Sequence, residues 1–354
     1  MSATVTDLQQ STAIPMPTTP WKRTRGEQVG TVVTFLISAL AAAFIVLVTG
    51  LAGVDGWAFT FLIIFLFVTT VRAFKADAKV RKEMFVSVAI FATAALAFTP
   101  WMSIFASVVL KGARGFKPNF FVGDMRTTIP DDELNLGGAG HAIVGSIMMV
   151  LNATIITLPL GILSGVYLTE VRGRLTFLVR FVVQSMSGVP SIVAGLFIYT
   201  TFVNYTNSFS GLAGSFALAI LMLPTVARTA EEVLKLVPDD LRSASYALGA
   251  RQWRTSLMVV LPTVRSGLTT AAILGVARVI GETAPLLLTS LSSNSFVFNP
   301  LGGPIGSLPT YVFGLLQIGT ENAINRAWTG ALVLMLLVLA LFTTARFIGG
   351  KDRR

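Results

Sequence analysis

Residues 228–267 read RTAEEVLKLVPDDLRSASYALGARQWRTSLMVVLPTVRSG. Leu234, Val237, Leu241, Ala244 and Leu248 recur at spacings of three and four, which marks one apolar helix face. Pro238 interrupts this stripe and Gly249 closes it. Asp239 and Asp240 follow Pro238, where acidic residues favour a helix start. A second short helix is expected over 250–262. The stretch is basic throughout, through Arg228, Lys235, Arg242, Arg251, Arg254 and Arg265. On periodicity alone it suits a helix lying on headgroups or a helix that docks a partner.

On both sides the chain turns apolar. Residues 212–227 precede the stretch and residues 267–291 follow it, and a bilayer core takes roughly 20 apolar residues per helix. A basic segment between two such runs must stay on one side of a membrane. Further runs cover 29–51, 57–71, 84–110, 142–168, 177–203 and 327–345, the second being short. The fold class is therefore all-α: a polytopic membrane protein with about eight transmembrane helices.

Composition agrees. Of 354 residues 53% are hydrophobic and 12% charged, against about 25% charged in soluble domains. A disordered chain is apolar-poor and is excluded. There is no cysteine and one histidine, His141, so a disulfide framework, a histidine metal site and a Ser-His-Asp triad lack material. Gly349-Gly350-Lys351 lacks the spacing of a phosphate loop. The sequence thus offers no catalytic, metal or cofactor site, and no enzyme activity is expected.

The net charge of +10 suits nucleic acid, an anionic substrate or membrane orientation, and its distribution decides. With the N-terminus placed in the cytoplasm, alternate connections on that side hold 21 of the 27 Lys and Arg residues. The other side holds Lys111, Arg114, Lys117, Arg126 and Arg326. This is the positive-inside pattern, so the protein is placed in the plasma membrane with both termini cytoplasmic. No nucleic-acid partner is implied. Residues 1–28 read as a polar tail, 29–84 as a two-helix extension, 85–349 as the core and 350–354 as a basic tail. Two long outer segments, 111–141 and 292–326, read as partner contacts or solvated connections.

Arg278 lies inside a span, where an arginine costs about 2.5–3.5 kcal/mol on insertion scales. Glu282 follows four residues later, on the same face of a continuous helix. The two either neutralise each other in helix packing or line a polar path. Arg228, at the inner end of the sixth span, is an anchor or a second path residue. Glu231 and Glu232 are candidate partners for it. Ser187, Ser191 and Gly195 recur at spacing four, as do Gly161 and Gly165, a pattern that lets helices approach closely. Gly188 and Pro190 suit a break in the fifth span.

Within 228–267 the frame Ser243-Ala244-Ser245, three residues, Gly249, nine residues, Val259, one residue, Leu261-Pro262 resembles the cytoplasmic signature of ABC importer permeases. That signature has Glu-Ala-Ala at the first three positions and Ile in place of Val259. The strings GGAGHAIVGS (137–146), SGVPSIVAGL (187–196), LPTVARTAEEVL (223–234), YALGARQW (246–253) and ARVIGETAPLL (277–287) resemble the phosphate-specific branch, the PstA-type permeases, over about residues 85–349.

The resemblance implies a six-helix permease core with a coupling helix at 239–250. The function it implies is ATP-driven import of inorganic phosphate. Asp239, Arg242, Ala244, Leu248, Gly249, Leu261 and Pro262 would couple it to separate ATPase subunits. Arg278, Glu282, Thr283, Arg228, Ser187 and Ser191 would line the path. The implied partners are a related PstC-type permease, two PstB-type ATPases, an extracytoplasmic PstS-type phosphate-binding protein and membrane lipid. ATP would be used by the partner alone. Arginine suits this cargo because it stays charged and grips phosphate with two hydrogen bonds. A permease for sulfate or molybdate fits the coupling signature equally. An ion-coupled secondary transporter would show paired repeats, which are not visible. A reporter fused after Arg354 is expected to lie in the cytoplasm; an external reporter would overturn the topology.

Overall fold

The computed structural model describes residues 25–49, 54–74 and 78–350; the readings made for 1–24 and 351–354 lie outside them. The regular elements among the described residues are all helical. Contacts divide the chain into two units, residues 1–106 and 107–354.

The first unit holds α1 (Arg25–Thr49), α2 (Val54–Phe74) and most of α3 (Ala78–Gly112). Residues 25–28, read above as tail, form the opening turn of α1. Phe35 meets Phe61 and Phe65 edge-on, and Phe65 meets Phe91 with ring centres 4.8 Å apart. Arg72 reaches from α2 to the Gly30 carbonyl (2.8 Å) and the Thr34 hydroxyl of α1. Leu40, Phe44 and Leu47 remain exposed, as befits helices whose solvent is lipid. Pro100 is accommodated inside α3.

In the second unit follow α4 (Gly140–Val166), α5 (Thr176–Ser187), α6 (Ser191–Ile198), α7 (Gly211–Lys235) and α8 (Asp239–Ala247). After these come α9 (Gln252–Thr263), α10 (Arg265–Val279), α11 (Ala284–Thr289), α12 (Leu308–Ile318) and α13 (Glu321–Gly350). α7 is the central element. It packs against α4, α5, α6, α10 and α11, and 67% of its apolar stretch is buried against 33% for α4 and 28% for α13. Met149, Val150 and Ala153 of α4 meet Leu218, Leu221, Met222 and Val226 of α7 in the main core, with Val279 and Leu286 beside them.

The spacing-four glycines explain the close contact of α4 with α7. A Cβ on Gly161 would stand 2.7 Å from Val226, and one on Gly165 3.0 Å from Ala230. The sixth span, expected at 212–227, continues to Lys235 in one helix and carries Arg228 and Glu231 within it.

Two expected spans are broken, the fifth at the Gly188–Pro190 break that its residues suited. The fifth, 177–203, is α5 and α6 joined at a bend of 108°. Pro190 has no N–H to continue α5, and its extended backbone (ψ 142°) starts α6 afresh. Ser187 therefore stands on a different helix from Ser191 and Gly195, which keep their common face on α6. The seventh, 267–291, stops at Val279; Thr283 caps a new helix with Pro285 in its first turn. α6 and α11, the pieces beyond the two breaks, pack on each other, with Gly195 against Pro285.

Among the described residues five helices are long and apolar enough to cross a membrane, or seven if the bent pairs that join at residues 187–191 and 263–265 each count as one span. This is below the expected eight because the apolar part of α2, Phe59–Arg72, is short. The long segments 111–141 and 292–326 are not plain solvated connections. Phe120 and Met125 are buried, residues 292–326 contain α12, and Met125 N–H donates to Asn294 (2.9 Å). Arg326, counted above as a loop charge, is 1% exposed inside α13. Its guanidinium donates to the carbonyls of Leu136 (2.8 Å), Asp132 (3.1 Å) and Glu133 (2.8 Å). His141 is buried against the rings of Phe296 and Tyr311.

Gly161→Leu is expected to lower stability by about 1–3 kcal/mol through overpacking. A depressed thermal unfolding temperature of the detergent-solubilised chain is the measurement, and an unchanged temperature would contradict the tight α4–α7 contact.

Candidate functional site

α7 and α10 run against each other, and this contact brings Arg278 to a hydroxyl of α7. Arg278, one residue before the end of α10, donates from Nη1 to Thr225 Oγ1 of α7 at 3.3 Å. Thr225 and Arg228 are three residues apart and so lie on one side of α7. Both arginines are exposed, as groups meeting a hydrated anion must be. Arg278 and Arg228 thus border one polar strip with a hydroxyl between them.

Glu282 does not join them as expected. Among the described residues no ion pair links it to Arg278. The i, i+4 geometry needs a helix through 278–282, and the helix ends at Val279. Glu282 lies in the break, its N–H donating to Val279 at 3.1 Å. Thr283 is half-buried at the cap of α11, and its carbonyl accepts from Leu286 and Leu287. Ser187 donates back to its own helix at Val183 (3.1 Å), while Ser191 opens α6, half-buried.

A polar cleft of about 450 Å³ lies beside this strip, lined in part by Arg180, Gln184, Arg228, Glu231 and Lys235. Glu231 accepts from Arg180 at 3.0 Å and from Lys235 at 3.1 Å. Glu232 pairs with Lys235 at 2.9 Å. Neither acid pairs with Arg228, so that arginine keeps its charge unneutralised by them. Among the described residues no cluster of three or more His, Cys, Asp or Glu could hold a metal.

The 228–267 stretch resolves into two surfaces. Its apolar stripe is not continuous. Leu234 in the last turn of α7 and Val237 just after it are buried with Val260 in a small core of their own, against which the half-buried Leu261 packs. Leu241 and Leu248 are exposed, Leu248 by 90%, and Ala244 stands exposed between them. Pro238 makes this division by ending one helix and starting another in an extended conformation. Tyr246 and Trp253 widen the exposed patch. Gly249 turns the chain at φ 79°, in the left-handed region that favours glycine. Pro262 is exposed in α9, which bends by 75° into α10. α8 is therefore joined through α9 to the helix that carries Arg278.

Arg242 and Asp239 behave differently from their neighbours. Arg242 turns inward, with its side chain 16% exposed, onto the buried carboxylate of Glu170 at 2.8 Å. Asp239 pairs with the same guanidinium at 3.0 Å. The carboxylate raises the Arg242 pKa further above its ordinary value, by hydrogen bonding first. Sequence reasoning missed Glu170, Arg180 and Thr225. Glu170 had one legible signal, being an acid at the end of an apolar run, in YLTEVRGR. Thr225 had none, since a hydroxyl in a span usually bonds its own helix.

Residues 157–349 match the family described as binding-protein-dependent transport system inner membrane component. The chain belongs to this family. Curated relatives named phosphate transport system permease protein PstA extend the match. The relative from Yersinia pestis is 44% identical over 253 residues, covering 71% of this chain and 84% of the relative. That from Pasteurella multocida strain Pm70 is 42% identical over 59% of this chain and 75% of its own. PstA 1 of Mycobacterium tuberculosis H37Rv is 36% identical over 68% and 81%. An inward-facing MetNI methionine ABC transporter structure aligns at TM-score 0.46 and 20% identity, covering 60% of this chain and 90% of that one. As a family member the chain is an integral membrane subunit of an ABC importer that works with other subunits. The strip, the cleft and α8 all lie within residues 157–349, whereas α1–α3 precede them.

A Cβ on Gly249 would meet nothing within 4 Å. Gly249→Asp is therefore expected to keep membrane insertion, at a local backbone cost of about 1 kcal/mol, while weakening association through the exposed α8 face. Co-purification with the other importer subunits measures this; undiminished recovery would count against a docking role.

Proposed function

We propose that this chain is the permease subunit through which an ATP-driven importer passes inorganic phosphate into the cell. The carrying observation is the strip of Arg278, Thr225 and Arg228 on the packed pair α10 and α7. Phosphate leaving water needs replacement donors and positive charge along a protein-lined route. Two exposed guanidinium groups, one bonded to Thr225 and the other about one helical turn from it on α7, supply both, and that hydroxyl offers a step. The PstA names of its relatives support phosphate over other oxyanions.

Glu282 enters this reading only as a half-buried group in the break after α10. Without a pairing carboxylate, Arg278 holds the anion by an exposed contact. Such contacts are weak enough for release, which transport requires. The charge distribution supports cytoplasmic termini and a cytoplasmic α8. Burial of Arg326 strengthens the bias, since one of the few outer basic residues is an interior staple.

The partners in this reading are a second, PstC-type permease closing the other side of the path, two PstB-type ATPases and a PstS-type binding protein that captures phosphate outside. The ATPases seat the exposed Leu241, Ala244 and Leu248 patch. They consume the ATP, and this chain needs no cofactor of its own. Movement of α8 reaches Arg278 through α9 and α10, because Ser245 and Thr255 join α8 to α9 and only Val264 separates α9 from α10.

The test is phosphate uptake by the assembled importer in proteoliposomes, with and without ATP, against sulfate and molybdate as competitors. ATP-dependent uptake resistant to both is expected. Arg278→Gln is expected to reduce uptake by about 100-fold or more, the scale of losing a charge-assisted contact of ~3 kcal/mol, with subunit assembly intact. Uptake at the wild-type rate in that variant would refute the path.

A further inference from the structure

The patch that faces a partner on α8 is held to the protein by one buried charge. Glu170 sits where α4 widens into a final π turn, Tyr167–Val171, and its side chain is 2% exposed. Arg242 of α8 donates to it from Nη2 at 2.8 Å and from Nε to both carboxylate oxygens at 3.2 Å. The same guanidinium donates to the carbonyls of Leu234 (3.1 Å) and Val237 (2.5 Å) at the end of α7. Gln252 of α9 donates to the Glu170 carbonyl at 2.5 Å. Ser245 and Thr255, both buried, join α8 to α9 at 2.8 Å. Four elements therefore meet at one ion pair.

Apart from this junction, α8 hangs between two turns. Pro238 precedes it in an extended conformation and Gly249 follows it at a positive φ with open space around it. Such turns bend under load. A buried, multiply bonded arginine fork does not, because each bond fixes the direction of the others.

We propose that Glu170 is a positioning residue: through Arg242 it makes α8, α4 and the end of α7 move as one body, so that a push on α8 reaches the transport path. This rests on the permease reading above. Glu170 touches neither phosphate nor the partner in this scheme. Its loss leaves the docking patch in place and disconnects it. The expected phenotype is uncoupling, with ATP hydrolysed and phosphate left behind, rather than failed assembly.

The complete importer in proteoliposomes carries the test, read as ATP hydrolysed per phosphate taken up. Glu170→Gln is expected to raise that ratio about tenfold, with all subunits still co-purifying, since removing one partner of a buried pair strands the other. Glu170→Gln/Arg242→Gln is expected to be no worse than either single change. Arg242→Lys keeps the charge but cannot bond Glu170, Leu234 and Val237 together, and is expected to uncouple as well; it replaces Glu170→Gln should that variant fail to accumulate. An unchanged ratio in these variants, or loss of assembly with an unchanged ratio in the surviving complexes, overturns the proposal.

A second readout is independent of transport. The chain has no cysteine, so spin labels at Ser243→Cys on α8 and Leu163→Cys on α4 report a single distance. A narrow distribution that broadens with Glu170→Gln supports the junction, and an unaltered distribution overturns it. Absence of phosphate uptake by the wild-type importer would instead remove the phosphate reading while leaving this distance measurement to judge the junction.

Discussion

At Gly161 and Gly165 the backbone of α4 packs directly onto Val226 and Ala230 of α7. Nearly everything else in residues 107–354 takes its place from that contact. It lets α7 sink to the centre of the unit, where it is flanked by α5, α6, α10 and α11. Because α7 is central, its exposed residues are few, and Arg228 is among them. Because it is long, its lower end extends past the expected boundary to Lys235 and forms the seat for Arg242. Lipid offers no hydrophobic drive for helix association, so close packing of small residues has to supply it.

The two breaks are the second organising device. The fifth span breaks at Gly188–Pro190, as its residues suited, and the 280–283 turn ends a helix that the apolar run alone would carry onward. The short pieces beyond them, α6 and α11, pack together. The result places the end of α10, with Arg278, beside Thr225 and not deep inside a continuous span. It also separates Arg278 from Glu282. The polar strip therefore carries uncompensated positive charge, the property an anion route needs. The nearby acids are occupied otherwise: Glu231 by Arg180 and Lys235, Glu170 by Arg242.

Much of this was legible in the residues. Apolar runs located α1, α3, α4, α7 and α13, and the pattern after Pro238 located α8 with its start and stop. The glycines at spacing four marked the tightest helix contact. The arginine within an apolar run pointed to Arg278. What failed did so for identifiable reasons. The pairing of Arg278 with Glu282 assumed an unbroken helix. A glycine and a threonine inside an apolar run carry no certain break signal, and Pro285 marks a restart only once the break is known. Arg326 looked like a loop charge because a buried arginine and an exposed one read alike in sequence. The stripe from Leu234 to Leu248 mixed two helices with opposite surroundings.

The sequence by itself determined that this chain is a helical membrane protein, which side its charges favour and where its surface helix lies. Those properties follow from apolar length, charge asymmetry and local turn chemistry, all of which act over a few residues. Only the tertiary structure decided which charges meet. Thr225 reaches Arg278 across 53 residues of chain and Glu170 reaches Arg242 across 72. Such pairs depend on where separate helices cross, which is set by close packing of side chains that no local pattern records.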